Sequence, residues 1–144
     1  MYSKAHLLIS AVAGGAVALI AGQQPPVAAA TVAYAAVLGV GIDVDHFLVA
    51  RLNTGNWDAL LGVFRNPRRI LFDQENVFEE GEGLTKLQRL LSHVVIAGLL
   101  VAAIYPLAPY VAALSGVVLY AHVLSDLYRD VRDEAEERAG PGRL

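Results

Sequence analysis

The sequence predicts an all-α integral membrane protein, an antiparallel four-helix bundle with one loop and a charged helical extension at its C-terminal end. Hydrophobic residues make up 56% of the 144 residues and charged residues only 17%, which is too apolar for a soluble domain of this length. Long stretches carry no charge, and prolines interrupt them at two places where a hairpin would turn. The length accommodates one such bundle, so we expect a single domain over residues 1–139.

The first predicted hairpin joins spans at about 5–22 and 27–50. Residues 5–22 are apolar except for His6 and Ser10, and the Pro25–Pro26 pair ends one helix and begins the next. Each span is slightly short for about 30 Å of hydrocarbon, so we expect the polar flanks to lie near the headgroups. A cleaved signal peptide is the alternative for the first segment, but a histidine at the head of the apolar run argues against it.

The second predicted hairpin joins spans at about 84–105 and 110–128, and Pro106 with Pro109 marks the reversal between them. Beyond Leu124 the pattern changes to alternating acids and bases, which predicts a solvated helical extension. The last residues, 140–144, are expected to form a disordered tail.

Between the hairpins, residues 51–83 mix acids, bases, glycine and proline, which is typical of a loop outside the membrane. Apolar residues from Trp57 to Phe64 precede a group of arginines in this loop. They could form a short amphipathic segment along the interface, or they could simply anchor a solvated loop.

The basic residues predict which side of the membrane the loop faces. Antiparallel spans place the N-terminus, the 51–83 loop and the C-terminal end on one side, which then holds every basic residue of the chain: Lys4, Arg51, Arg65, Arg68, Arg69, Lys86, Arg89, Arg129, Arg132, Arg138 and Arg143. By the positive-inside rule this side is cytoplasmic. We therefore expect a multi-pass protein of the cell membrane with both termini and the loop in the cytoplasm.

The four histidines are predicted to meet at that same end. His6 opens the first span, His46 closes the second, His93 opens the third and His122 closes the fourth. At 1.5 Å rise per residue, His6 and Asp43 both lie roughly 24 Å from the turn that joins their spans. The histidines thus reach similar depths within each hairpin.

Acidic residues accompany the histidines at helical spacing. Asp43 and His46 are three residues apart, and His122 and Asp126 are four apart, so each pair shares a helix face and could chelate one ion. Asp45 points about 200° away from Asp43, which suits a second metal, a hydrogen bond to a histidine, or exposure. The simpler alternative is that these side chains only mark the headgroup level. Ionisable groups near a membrane core are costly enough to favour a functional site.

The composition limits what such a site could hold. The chain has no cysteine, which excludes disulfides, thiolate metal sites, iron–sulfur clusters and cysteine nucleophiles. A metal must therefore be bound by imidazole and carboxylate groups, and an open coordination position can lower the pKa of a bound water to about 7. The net charge of -3 and the absence of a long basic run argue against nucleic acid as a partner.

The pattern of these residues resembles the membrane-bound metal-dependent hydrolases related to the bacterial inner-membrane protein YdjM. The matching features cover the whole chain: His6, then Gly41 to His46 reading Gly-Ile-Asp-Val-Asp-His, then Arg89 with His93, and finally His122 with Asp126. The chain departs from the family at Ile42, where a proline is usual, and at Gln88 to Leu90, where the family has His-Arg-Gly.

The resemblance implies a metal-assisted hydrolase, distantly similar to zinc phospholipase C enzymes. We expect a divalent metal, with zinc favoured, and an ester or phosphoester substrate that is a small molecule or a membrane lipid. The expected metal ligands are His6, Asp43, Asp45, His46, His93, His122 and Asp126. Asp45 or Asp126 is the candidate general base, and Arg89 is the candidate for stabilising negative charge on a phosphate.

The sequence leaves two other functions open. One histidine per helix could provide bis-histidine haem ligation, although the clustered aspartates argue against it. A non-enzymatic membrane protein, such as a metal transporter or an assembly subunit, is the broader alternative. Transport would favour polar residues along the whole bundle, and the halves of the helices remote from the histidines have almost none.

Overall fold

The computed structural model describes residues 3–65 and 85–140, and within these ranges the chain is helical, with short turns and no strand. Three predicted parts of the chain lie outside the described residues: the loop from residue 66 onward, the start of the third span at residue 84, and the tail from residue 141. The described helices are α1 (Ser3–Ile20), α2 (Pro25–Gly41), a 3-10 turn (Ile42–Val44), α3 (Asp45–Thr54), α4 (Asp58–Arg65), α5 (Lys86–Ile104) and α6 (Pro109–Ala139).

Three helical segments are long and apolar enough to cross a membrane. They are Pro25–Thr54, taken through the 3-10 turn, Lys86–Ile104 and Pro109–Ala139. The first helix is also apolar over Lys4–Ile20 but is shorter. The prediction of an all-helical chain with helices suited to a membrane is therefore confirmed for the described residues.

Helices α1 and α2 pack closely because small residues face each other. A Cβ added at Gly14 would lie 2.5 Å from Ala35 Cβ, and one added at Gly39 would lie 1.8 Å from Ser10 Oγ. Such contacts let two helix backbones approach without bulky side chains between them. The turn between the helices contains Gly22, whose positive φ of 60° is the conformation that ends many helices.

The second predicted span extends further than expected. A 3-10 turn tightens the backbone at Ile42–Val44, and the helix then continues as α3 to Thr54, where Gly55 ends it with φ of 82°. The amphipathic segment considered at the start of the 51–83 loop forms a helix, α4, in which Val63 is buried and Phe64 is exposed. Residues 51–54 are therefore helical where the sequence predicted a loop, and residues 58–65 form a helix in the part of the loop for which an amphipathic segment was one of two alternatives.

Helices α5 and α6 differ in how much of their surface is covered. Thr85 caps α5 through a capping box with Gln88. His93 is the one buried residue of α5, whereas α6 packs against α1, α2 and α5 and buries residues from Ala112 to Asp126. Beyond Asp126, α6 continues into the charged extension, where Arg132 and Glu136 pair at 2.8 Å.

Candidate metal centre

All seven predicted metal ligands lie in one cluster, to which four helices and the 3-10 turn contribute. Helix α1 supplies His6, the turn supplies Asp43, and the first turn of α3 supplies Asp45 and His46. Their partners come from α5 and α6, namely His93, His122 and Asp126. The donor atoms form two groups, each within 4.8 Å, that could hold a metal ion. One group is His6, Asp43, His122 and Asp126, and the other is Asp43, His46 and His93.

Asp43 belongs to both groups. Its Oδ1 lies 3.3 Å from Nε2 of His93 and 3.4 Å from Nε2 of His122. Nε2 of His46 is slightly further away, at 3.8 Å from the same oxygen. One carboxylate oxygen thus faces imidazole nitrogens from α3, α5 and α6.

Asp126 occupies the other side of the cluster. Its Oδ1 lies 3.2 Å from His6 Nε2, while its Oδ2 lies 3.6 Å from His122 Nε2 and 3.8 Å from His93 Nε2. Helix α6 therefore contributes a carboxylate and an imidazole from one face, as the four-residue spacing predicted.

The sequence left three roles open for Asp45: a second metal, a hydrogen bond to a histidine, or exposure. The structure shows the hydrogen bond to a histidine. Its Oδ2 accepts a 2.7 Å hydrogen bond from His93 Nδ1, a contact that fixes the ring and leaves Nε2 directed towards Asp43 and the cluster. Its Oδ1 is buried without a hydrogen-bond partner among the described residues and lies 3.7 Å from His46 Nε2. Asp45 belongs to neither group of converging donors.

The cluster leaves buried polar atoms unsatisfied. His6 and His122 are 1% and 0% exposed, and neither ring forms a hydrogen bond of proper geometry within residues 3–65 and 85–140. Carboxylate oxygens do lie 3.2–3.6 Å from their Nε2 atoms. Because an unsatisfied buried polar group costs about 1–3 kcal/mol, such nitrogens call for a further ligand.

The spacing of the donors fits a metal ion better than it fits direct hydrogen bonds. Tetrahedral ligands bonded at about 2.0–2.2 Å lie roughly 3.3–3.6 Å from one another. The nitrogen–oxygen distances around Asp43 and Asp126 are 3.2–3.8 Å, whereas charge-assisted hydrogen bonds are about 2.7–2.9 Å. The residues present therefore fit a divalent ion, and the sequence-based expectation of His and Asp groups that could hold a metal is confirmed.

Arg89, the predicted stabiliser of negative charge, lies at the edge of the cluster and is paired. One of its terminal nitrogens is 2.6 Å from both carboxylate oxygens of Asp130. Its Nε lies 3.9 Å from Asp126 Oδ2. The guanidinium thus connects the solvated extension of α6 to a carboxylate of the cluster.

Two residues of this region were missed by the sequence analysis. Asp130 was assigned to the solvated extension, although its position four residues after Asp126 places it on the same helix face. Ser10 follows His6 by one turn and is fully buried, and its Oγ has no hydrogen-bond partner among the described residues. The sequence signal for Ser10 was its position as the one polar residue between Leu7 and Ile20.

The comparisons with known proteins found no relative of this protein. No family model, no curated protein and no solved structure matches the chain.

Proposed function

We propose that this protein is a membrane-embedded, metal-dependent hydrolase that acts on an ester or phosphoester, with zinc as the resident ion. The observation that carries the proposal is the convergence of four imidazoles and three carboxylates from four helices, with nitrogen–oxygen distances of 3.2–3.8 Å between candidate ligands. The resemblance to YdjM-related hydrolases supports the same reaction class.

The proposed ligands form two overlapping sets. His6, His122 and Asp126 would hold one ion, His46 and His93 would hold a second, and Asp43 would contribute to both. Paired ions about 3.5–4 Å apart are common in enzymes that hydrolyse phosphoesters. When bound, a divalent ion supplies Lewis acidity and acidifies a coordinated water.

The remaining residues have roles that follow from their contacts. Asp45 orients His93 through Oδ2, and its Oδ1, which has no hydrogen-bond partner among the described residues, is the better placed of the two predicted bases to accept a proton. Asp126 faces three imidazoles and acts as a ligand in this proposal. Arg89 places a positive charge beside the cluster, where it would favour an anionic substrate.

The proposal includes four antiparallel spans with the cluster near the cytoplasmic face. Helix α1 would provide the fourth span, and its close packing on α2 supports this arrangement. The cytoplasmic assignment rests on the basic residues, all of which lie outside the two short hairpin turns.

The alternatives fit the observations less well. His6 and His122 stack with ring centroids 3.8 Å apart, which leaves no room for a porphyrin between them. Residues 11–38 and 97–118, which form the part of the helices remote from the cluster, contain no Asp, Glu, Lys, Arg or His. A cation crossing the membrane would therefore lack charged ligands for much of its path.

Metal analysis of the purified full-length protein tests the proposal. After chelation, dialysis and re-addition of zinc, the wild type should retain stoichiometric metal. Asp126→Asn should weaken zinc binding by at least about tenfold. Asp133→Asn is the matched control, because Asp133 lies two turns further along α6 and pairs with Arg129, with its side chain 43% exposed. A wild type that binds no metal, or equal binding by both variants, would overturn the site.

Hydrolysis is measured separately with the zinc-loaded protein. A fluorogenic phosphodiester and a carboxylic ester should be screened in the same detergent, and Asp45→Asn should lower turnover far more than it lowers zinc occupancy. Turnover that persists unchanged in Asp126→Asn would exclude this cluster as the catalytic centre.

A further inference from the structure

A groove between the α2–α3 segment and α5 lies beside the candidate metal centre and reaches Asp45. It has a volume of about 330 Å³, within the size range of small-molecule sites. Its apolar walls include Leu38, Val44 and Leu48 on one side and Ile96 and Leu100 on the other. Helix α5 packs against α6, α3 and the 3-10 turn but not closely against α2, and this separation creates the groove.

The one ionisable residue that lines this groove is Asp45. Its side chain is 2% exposed, and its Oδ1 has no hydrogen-bond partner among the described residues, while Oδ2 binds His93. The carboxylate itself is buried behind this apolar wall, where an oxygen without a hydrogen-bond partner is costly unless it serves a ligand or a reaction. The groove therefore brings an apolar ligand to the residue proposed above as the base.

A second groove shows that apolar surface alone does not distinguish this site. It lies on the other flank of α5, between α5 and α6, and is larger, at about 610 Å³. Val94, Gly98, Gly116 and Val123 line it, and no member of the His/Asp cluster does. Lipid can cover both grooves, but only the smaller one ends on the cluster.

We propose that the groove beside Asp45 binds one acyl chain of a membrane lipid, so that the lipid enters laterally and presents its ester or phosphoester to the metal centre. This inference rests on the proposed hydrolase function and names its substrate class. The walls belong to helices apolar enough to cross a membrane, where acyl chains are the abundant ligand. The cluster lies roughly 24 Å from the α1–α2 turn, close to one boundary of the hydrocarbon of about 30 Å, where acyl chains join their headgroups.

Gly41 keeps the groove open. It lines the groove, and a Cβ added at this position would meet no atom within 4 Å. A Cβ at residue 41 would therefore displace no protein atom, and a leucine built on it beside the groove is expected to take up groove space. Gly98 has the same property in the second groove, which makes Gly41→Leu and Gly98→Leu a matched pair.

The binding experiment uses full-length, zinc-loaded protein in vesicles of phosphatidylethanolamine and phosphatidylglycerol. A trace of phosphatidylcholine with a diazirine in the middle of one acyl chain serves as the probe, and mass spectrometry locates the crosslinks. We expect crosslinks at Leu48 and Ile96 in the wild type. Because a leucine side chain and an acyl chain cannot occupy the same space in a packed groove, Gly41→Leu should reduce these crosslinks by about tenfold, while Gly98→Leu should leave them unchanged.

Crosslinks at Leu48 and Ile96 that are equal in the two variants, or no stronger than at other lipid-facing residues, would overturn the lipid groove. Zinc content is measured in parallel. If Gly41→Leu loses zinc, Leu100→Trp narrows the same groove from α5 and takes its place in the comparison.

A second readout separates failure of the groove from failure of the hydrolase. Gly41→Leu should lower turnover of a long-chain phospholipid relative to a short-chain, water-soluble phosphodiester, and Gly98→Leu should not. If the wild type cleaves neither substrate, the hydrolase proposal fails, while the crosslinking result still decides whether the groove binds lipid. Equal loss on both substrates would contradict the acyl-chain role.

Discussion

Helices α1 and α5 are both apolar, yet they are attached to the rest of the protein in different ways. Helix α1 lies against α2 through small residues, with Gly14 against Ala35 and Gly39 against Ser10. Helix α5 has a single buried residue, His93, and its polar contacts lie near its N-terminal end. There His93 meets Asp45, and Arg89 meets Asp130.

The difference indicates that the His/Asp cluster also anchors α5. Apolar side chains gain little by leaving lipid for another apolar surface, so membrane helices associate through close packing and polar contacts. Helix α1 uses close packing and α5 uses polar contacts. Grooves lie on both flanks of α5, one towards α2 and α3 and the other towards α6.

The largest effect is expected where the close packing is disturbed. Gly39→Ala would place a Cβ 1.8 Å from Ser10 Oγ and 2.5 Å from Ser10 Cβ, and a serine side chain is too short to move away. The helices must separate, which should cost about 2 kcal/mol or more despite the better helix propensity of alanine. The free energy of unfolding in detergent measures this loss.

Gly15→Ala is the control for this prediction. It adds the same methyl group to α1, but the new Cβ would lie 3.9 Å from Val32 Cγ2, which is ordinary contact distance. Equal stability of the two variants would show that α1 and α2 do not depend on close packing.

Metal removal should have an intermediate effect, and it should act on α5 more than on α1, because close packing also holds α1 against α2. Without an ion, the carboxylates of Asp43 and Asp126 and the imidazoles around them lose their common ligand, so the N-terminal end of α5 should detach more often. The chain lacks cysteine, so spin labels can be introduced at Leu38→Cys and Leu100→Cys without other changes. Chelation should broaden the distance distribution between α2 and α5.

The same measurement between α1 and α2 provides the reference, with labels at Leu8→Cys and Val37→Cys. That distance distribution should not change on chelation, because the chain from residue 8 to residue 37 contains none of the predicted metal ligands. An α2–α5 distribution that is equally narrow with and without metal would show that α5 is held by something other than the cluster.

The parts of this arrangement that the sequence predicted depend on local geometry. A helical rise of 1.5 Å per residue is enough to place His6 and Asp43 at one depth, and spacing of three or four residues is enough to put Asp126 beside His122. The apolar spans follow from composition in the same way. These features need no knowledge of how the helices rotate against one another.

The parts that the sequence did not predict depend on that rotation. Asp45 is separated from His93 by 48 residues, and its role could be chosen only once the face of α5 was known. The shared position of Asp43 depends on the 3-10 turn, which alters the angle between side chains at residues 42–44. The pairing of Asp130 with Arg89 likewise joins two helices whose relative positions no local pattern specifies.

The smallest effect is expected at the Arg89–Asp130 pair, which is a polar attachment of α5 in addition to His93. Asp130→Asn would remove the carboxylate from a contact whose side chains are only 21% and 18% exposed. A charge-assisted hydrogen bond at such a partly buried position contributes about 1 kcal/mol, so opening of the N-terminal turns of α5 should increase about fivefold. Amide hydrogen exchange of residues 88–92 measures this opening.

Glu136→Gln is the control for this prediction. It breaks an exposed pair with Arg132 on α6, the helix that also carries Asp130, and it should leave the exchange unchanged. If Asp130→Asn also leaves the exchange unchanged, the Arg89–Asp130 pair does not help to anchor α5.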